Sequence, residues 1–249
     1  MRTIIFPYKF GSRSAKILVK SINAVRVRDT GRYVKRAGDL VINWGNTKTP
    51  SWGESNLNKE SSVINSVDKK IALQKMKDAE VRTVPFTDNT QVVTEWLNQG
   101  HTVYARTLTR ASEGRGIKVI TKGMSIPYAT LYTKGIESQN EYRIHVFRGT
   151  VIDYTKKIPI SYQPNPLIKS HNNGWTFARN LEQRNKVKEE AVKAVEALGL
   201  DFGAVDVITN PLDKNRPYIL EVNTACGLNE DGRTLKSYSD AIKNYAKNI

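Results

Sequence analysis

Two acids and an amide near the end of the chain carry the clearest chemical signal: Asp206 in Asp201-Phe-Gly-Ala-Val-Asp-Val207, and Glu221 and Asn223 in Leu220-Glu-Val-Asn223. The two runs read as strands, Gly203 to Thr209 and Tyr218 to Asn223, around a turn-rich connection from Asn210 to Pro217. A symmetric hairpin sets Thr209 against Tyr218, Val207 against Leu220 and Asp206 against Glu221, with Glu221 and Asn223 on one face. Facing carboxylates repel unless a cation lies between them, and an all-oxygen set without His or Cys suits Mg²⁺ or Mn²⁺. An ion-pair cluster closed by Arg143 or a nearby lysine satisfies the same residues. Repulsion alone implies that neutralising one acid leaves stability level or raises it.

A second group lies on Glu141-Tyr-Arg-Ile-His-Val-Phe147, which alternates strictly. Tyr142, Ile144 and Val146 point to one face, and Glu141, Arg143 and His145 to the other. A two-residue turn at Arg148-Gly149 leads into a strand from Thr150 to Lys157 and places Glu141 opposite Lys156; a shift of one residue substitutes Lys157. On pattern alone the polar side is a solvated outer face with cross-strand ion pairs. A third group, Ser112-Glu-Gly-Arg-Gly116, tips a hairpin between strands Thr102 to Leu108 and Ile117 to Thr121. Glycines there let backbone N–H groups approach phosphate oxygens, although an ordinary mobile turn has the same composition. The tip is not a Walker A loop.

The elements that position these groups are short. Thr3 to Phe6, a helix behind Ser12 or Ser14 using Ala15, Ile17, Leu18 and Ile22, and a strand Asp39 to Asn43 form a β-α-β opening. The polar stretch Gly45 to Ser62 reads as a loop or linker. A helix from Asp68 to Ala79 draws its apolar positions from Ile71, Leu73 and Met76, and a short one runs from Thr90 to Asn98. After a Pro/Asn-rich loop, Pro159 to Gly174, an amphipathic helix spans Glu182 to Leu198 and stops at Gly199.

Composition narrows the function. The 249 residues include 39 lysines and arginines against 24 acids, a net charge of +15, with 39% hydrophobic residues. One cysteine, Cys226, excludes an intramolecular disulfide, three histidines exclude several zinc sites, and no run is apolar enough to span a membrane. A cytoplasmic protein is expected. The first 60 residues carry twelve basic side chains against four acids. Such a field attracts a nucleic acid or an acidic small substrate, or serves solubility alone.

Taken in order, a lysine on the helix after Asp68, a strand ending in a basic residue, a glycine tip, Glu141-Tyr-Arg143 and the terminal Asp206…Glu221-Val-Asn223 resemble the ATP-grasp superfamily. The resemblance covers about residues 65 to 230. It is closest to the RimK-like and D-alanine-D-alanine ligase-like carboxylate-amine ligases, and the compact basic N-terminus is similar to short versions carried by bacteriophages.

The resemblance implies an α/β (α+β) fold in which two mixed or antiparallel sheet subdomains clasp ATP. Residues 1–62 would be a short basic N-terminal region, and 63–249 an ATP-grasp domain divided at about 80–133 and 134–249. Asp206, Glu221 and Asn223 match the ligands of two Mg²⁺ (or Mn²⁺) ions, with Glu221 as the bridge. Lys69 matches the first ATP-contacting lysine, Arg106 stands where the family usually has a second lysine, and Ser112, Gly114 and Gly116 match the triphosphate flap. Lys134 falls in the adenine-contacting hinge segment and Glu141 on the acid that holds the ribose hydroxyls. Arg143, Lys156 and Asn173 fall near positions that meet the γ-phosphate or the acyl phosphate. The implied reaction is ATP-dependent activation of a carboxylate as an acyl phosphate for attack by an amine or thiol. A nucleic-acid-associated ATP-binding module and an ATP-grasp kinase are the alternatives.

Overall fold

A computed structural model of the chain describes residues 1–111, 114–138, 140–160, 174–179, 185–230 and 232–249. Ser112 and Asn173 lie outside them, as do residues 182–184 of the expected helix.

The opening is a three-stranded parallel sheet. Strand β1 (Arg2–Pro7) lies between β2 (Val25–Arg26) and β3 (Asp39–Trp44), with Ile5 opposite both Arg26 and Ile42. Helix α1 (Arg13–Ile22) begins where the Ser12 side chain accepts from the Ala15 amide, and it buries Ala15, Ile17, Leu18 and Ile22. Every residue of β3 is buried, as expected for a parallel strand covered on both faces. The polar stretch that follows is not a free linker. Asn58 accepts from the amides of Asp201 and Phe202 and donates to the Phe202 carbonyl, and Glu60 accepts from Ser55 and Asn43. Its end becomes helix α2 (Glu60–Val67). These short polar side chains satisfy buried backbone groups that would otherwise be unpaired.

Helix α3 (Lys69–Asp78) is capped by Asp68, which accepts from the amides of Lys70 and Ile71. Ala72, Leu73 and Met76 are buried, whereas Ile71, expected inward, faces solvent. The strands β4 (Phe86–Thr87), β5 (Val103–Arg106), β6 (Ile117–Ile120) and β7 (Leu131–Lys134) form an antiparallel sheet, in the order β4-β7-β5-β6, packed on α4 (Thr90–Asn98).

The largest sheet runs β10 (Trp175–Ala178), β9 (Thr150–Pro159), β8 (Asn140–Phe147), β11 (Phe202–Asn210) and β12 (Arg216–Asn223), all antiparallel. Its apolar side, with Tyr142, Ile144, Val205 and Val207, packs on Val187, Ala191, Ala194 and Val195 of α5 (Asn185–Ala197). Its other side, with Phe147, Phe202 and Ala204, packs on Trp44, Leu18 and α6 (Arg233–Lys247), whose Tyr238 and Ile242 are fully buried. β10 and α6 are elements beyond those expected from the sequence. Among the described residues no helix is long and apolar enough to cross a membrane.

Two one-residue bulges set the pairing of this sheet. From the turn, β11 and β12 pair Thr209 with Pro217, Ile208 with Tyr218 and Val207 with Ile219; Leu220 then bulges and Asp206 meets Glu221. The expected pairs Thr209–Tyr218 and Val207–Leu220 are therefore wrong, although Asp206–Glu221 holds. The Arg148-Gly149 turn has positive φ at both residues (46° and 73°) and joins Phe147 to Thr150 as expected. Past it Ile152 bulges, His145 meets Asp153 and Tyr142 meets Lys156.

Candidate active site

Directly opposed residues share a face, so the register builds rows across the sheet. One row is Glu221, Asp206, Arg143 and Thr155; the next is Asn223, Ala204, His145 and Asp153. Arg143 clamps Asp206 with two hydrogen bonds of 2.7 Å, Nε to Oδ1 and Nη2 to Oδ2. Burial opposes ionisation of Asp206, but the charge and hydrogen bonds of Arg143 outweigh it and hold the carboxyl below the usual range. Burial likewise opposes the charge of Arg143, and Asp206 reverses the balance and raises its pKa. The cation that neutralises Asp206 is thus the guanidinium of Arg143, on the side of Asp206 away from Glu221.

Glu221 is more open. It pairs with Lys69 Nζ at 3.2 Å, and its Oε1 accepts from Asn223 Nδ2 at 3.2 Å. Lys69 also donates to the Ala111 carbonyl at 2.7 Å, at the base of the glycine tip. Asp68 reinforces that dock by accepting from Thr109 Oγ1 and Arg110 Nε. In the tip, Gly114 and Gly116 both have positive φ, and a Cβ on Gly116 would approach Leu108 and Thr107 to 3.0 Å, so glycine is required there.

Arg106 ends β5 within the field of Glu221, and its Nε is buried with no hydrogen-bond partner among the described residues. Burial lowers its pKa, and the Glu221 charge offsets only part of that effect. A guanidinium held this way is poised for an anion.

Lysine 157 pairs with Glu141, both side chains being nearly buried. Lys156, expected there, stands opposite Tyr142 on the other face, because the Ile152 bulge advances the register by one. Phe177 on β10 stacks 4.7 Å from the Arg143 guanidinium and 5.7 Å from Lys157, a wall that no pattern announced. Lys134 closes β7 opposite Val103 and is half-buried. His145 corrects the expectation of a solvated face: it is buried, with Nδ1 3.3 Å from the Tyr238 hydroxyl, itself 3.0 Å from Cys226 Sγ. Burial, then the Arg143 charge, lower its pKa to about 3, so it is neutral and structural.

Among the described residues no three His, Cys, Asp or Glu side chains gather, so an ion here rests on two carboxylates and Asn223. That set is all oxygen, and Arg143 occupies only part of the acceptor capacity of Asp206, since an ionised carboxylate has about four lone-pair sites. Asn223 donates through its nitrogen, which keeps its oxygen as an acceptor. The residues fit a hard cation such as Mg²⁺.

No protein-family model and no curated protein sequence matches the chain. Solved structures do. The ATP-grasp ligase PsnB complexed with minimal precursor superposes with a TM-score of 0.71 at 11% identity, over 98% of this chain and 99% of that one. A RimK domain ATP-grasp protein from Sphaerobacter thermophilus gives 0.67 at 13%, over 98% and 99%. D-alanine-D-alanine ligase from Bacillus anthracis gives 0.66 at 13%, over 99% and 94%. With α4 packed on the four-stranded antiparallel sheet and α5 and α6 on opposite faces of the five-stranded one, the chain has the ATP-grasp fold.

Proposed function

We propose that the protein is an ATP- and Mg²⁺-dependent ligase that activates a carboxylate as an acyl phosphate for attack by an amine or thiol. The observation that carries this reading is Arg106: a half-buried arginine whose buried Nε has no partner among the described residues, within the field of Glu221, which itself pairs with Lys69. A nucleotide phosphate is the anion such a group fits. PsnB has been solved with precursor, Mg and ADP, the Bacillus anthracis ligase with ATP, and a Chryseobacterium gregarium RiPP-associated ligase with ADP and a leader and core peptide.

In this reading residues 63–249 form the ATP-grasp domain, with parts at about 80–133 and 134–249, and 1–62 a short N-terminal region. Lys69, Arg106 and the tip at Ser112, Gly114 and Gly116 hold the phosphates, Lys134 lies toward the adenine, and Glu141 takes the ribose hydroxyls, oriented by Lys157 rather than Lys156. Asp206, Glu221 and Asn223 hold two Mg²⁺ ions, which supply charge to the phosphate oxygens. Arg143, with Asn173, offsets charge on the transferred group, and Asp206 fixes the Arg143 fork in one orientation. The substrate carboxylate oxygen forms a bond to the γ-phosphorus as the bond to ADP breaks; the amine then attacks the acyl carbon and phosphate leaves. No protein nucleophile takes part, in keeping with the buried, neutral His145 and a Cys226 thiol that burial pushes up to about 12.

The test is product analysis with Mg-ATP, a pool of carboxylic acids and hydroxylamine as the amine. ADP, phosphate and a hydroxamate are expected, and Glu221→Gln should abolish all three while keeping a wild-type circular dichroism spectrum. AMP and pyrophosphate, or a stable phosphorylated metabolite without a hydroxamate, would refute it, the latter in favour of a kinase.

A further inference from the structure

The basic N-terminal quarter contains a built cavity. At the carboxyl ends of the parallel strands β1 and β3, a hollow of about 250 Å³ is lined by Tyr8, Lys9, Phe10, Arg28, Asn46 and Lys48. Ligands of open parallel sheets gather at this end of the strands. The wall is rigid: Asn46 donates from its amide to Asn43 Oδ1 and from Nδ2 to the Pro7 carbonyl, and its Oδ1 accepts from the Lys48 amide. The cavity is also near the cleft, because a Cβ on Gly45 would come within 2.8 Å of Ala225, two residues after Asn223.

Its charges are not balanced. Asp29 pairs with Lys48 at 2.6 Å. Lys9 and Arg28 have no carboxylate partner among the described residues, and neither does Arg26, which stacks on the Phe10 ring without lining the hollow. The guanidiniums of Arg26 and Arg28 each lie 4.0 Å from the centre of the Phe10 ring, which holds like charges close together. Arg26 Nη1 is buried with no hydrogen-bond partner among the described residues. Three cations, Lys9, Arg28 and Lys48, line the hollow against one acid, Asp29, and this excess of positive charge draws an anion into it. A cavity of this volume admits a small charged group and not a folded or helical macromolecule.

We infer that this cavity binds a compact, doubly charged oxyanion, a phosphate or paired-carboxylate group, on the small substrate of the ligase reaction; the link to that substrate rests on the function proposed above. The probes are inorganic phosphate and succinate, titrated calorimetrically at low salt into full-length protein first saturated with Mg²⁺ and a nonhydrolysable ATP analogue, which occupies the nucleotide phosphate sites. At least one probe should bind, and Lys9→Ala with Arg28→Ala should weaken it about tenfold or more, the scale for charged hydrogen bonds. Lys9→Arg with Arg28→Lys should retain most of the affinity. Tighter phosphate binding assigns a phosphoryl substrate, and tighter succinate binding an acidic one. The inference is overturned if neither anion binds, if the alanine pair binds as well as wild type, or if the pair loses only an RNA oligonucleotide in a gel shift. Should the ATP analogue itself fail to bind, the ligase reading falls, while the anion titration still decides the cavity.

Discussion

Neutralising Asp206 and neutralising Glu221 should have very different effects on stability, although the two acids face each other. The Asp206 carboxylate is 7% exposed and takes both hydrogen bonds of the Arg143 fork, whose side chain is 24% exposed. Asp206→Asn keeps one acceptor but leaves a largely buried guanidinium without its counter-charge. Breaking a buried pair costs about 3–5 kcal/mol, and the partial exposure of Arg143 puts this case near the lower end, about 3 kcal/mol. Glu221 and Lys69 are 31% and 15% exposed and 3.2 Å apart, so Glu221→Gln loses about 0–1 kcal/mol and recovers some of it from relieved repulsion. For a chain of this size, about 2–4 °C per kcal/mol places Asp206→Asn roughly 6–12 °C below wild type and Glu221→Gln within about 4 °C of it. Thermal melts by circular dichroism without Mg²⁺ measure both, and Arg143→Met added to Asp206→Asn should restore part of the loss. For Asp206 this reverses the expectation from repulsion alone, that removing either acid is neutral or stabilising; for Glu221 the effect stays close to neutral. Equal shifts for the two variants, or a rise for Asp206→Asn, would refute the clamp.

Two further outcomes follow from buried groups. Arg106→Met removes a guanidinium whose Nε is buried without a partner among the described residues, so the free protein should melt higher, by about 1–3 kcal/mol of stability, while calorimetric affinity for an ATP analogue falls; a lower melting point with unchanged affinity would remove Arg106 from the site. His145 has its folded pKa lowered to about 3 by burial and Arg143, so the unfolded chain takes up a proton below about pH 6.5 that the folded one does not. Its contribution is complete above that pH and declines as pH falls toward 3, approaching about 1.4 kcal/mol per unit. Urea unfolding of wild type and His145→Phe over this window should give curves of different slope, and parallel curves would show that His145 does not titrate as stated.

Local pattern decided much of this protein. Alternation in 141–147, a serine cap at Ser12 or Ser14, the helix that opens at Asp68, and the turn at Arg148-Gly149 each depend on neighbours in sequence and were legible there. So were the residue types of the candidate site, because Lys69 opens a helix, Arg106 and Asn223 end strands, and Asp206 and Glu221 lie on two strands read as a hairpin. Tertiary structure decided which side chains meet. A bulge at Leu220 and another at Ile152 each advance a strand by one residue, and since the side-chain period is two, that step turns Lys156 away and brings Lys157 to Glu141. Nothing local announces a bulge, which answers to the twist of the whole sheet. The same holds for the polar face of β8, which α6 covers, and for Arg143, whose counter-ion lies 63 residues away. Pair identity across strands is a property of the packed sheet, and the chain alone carries only the residues available to it.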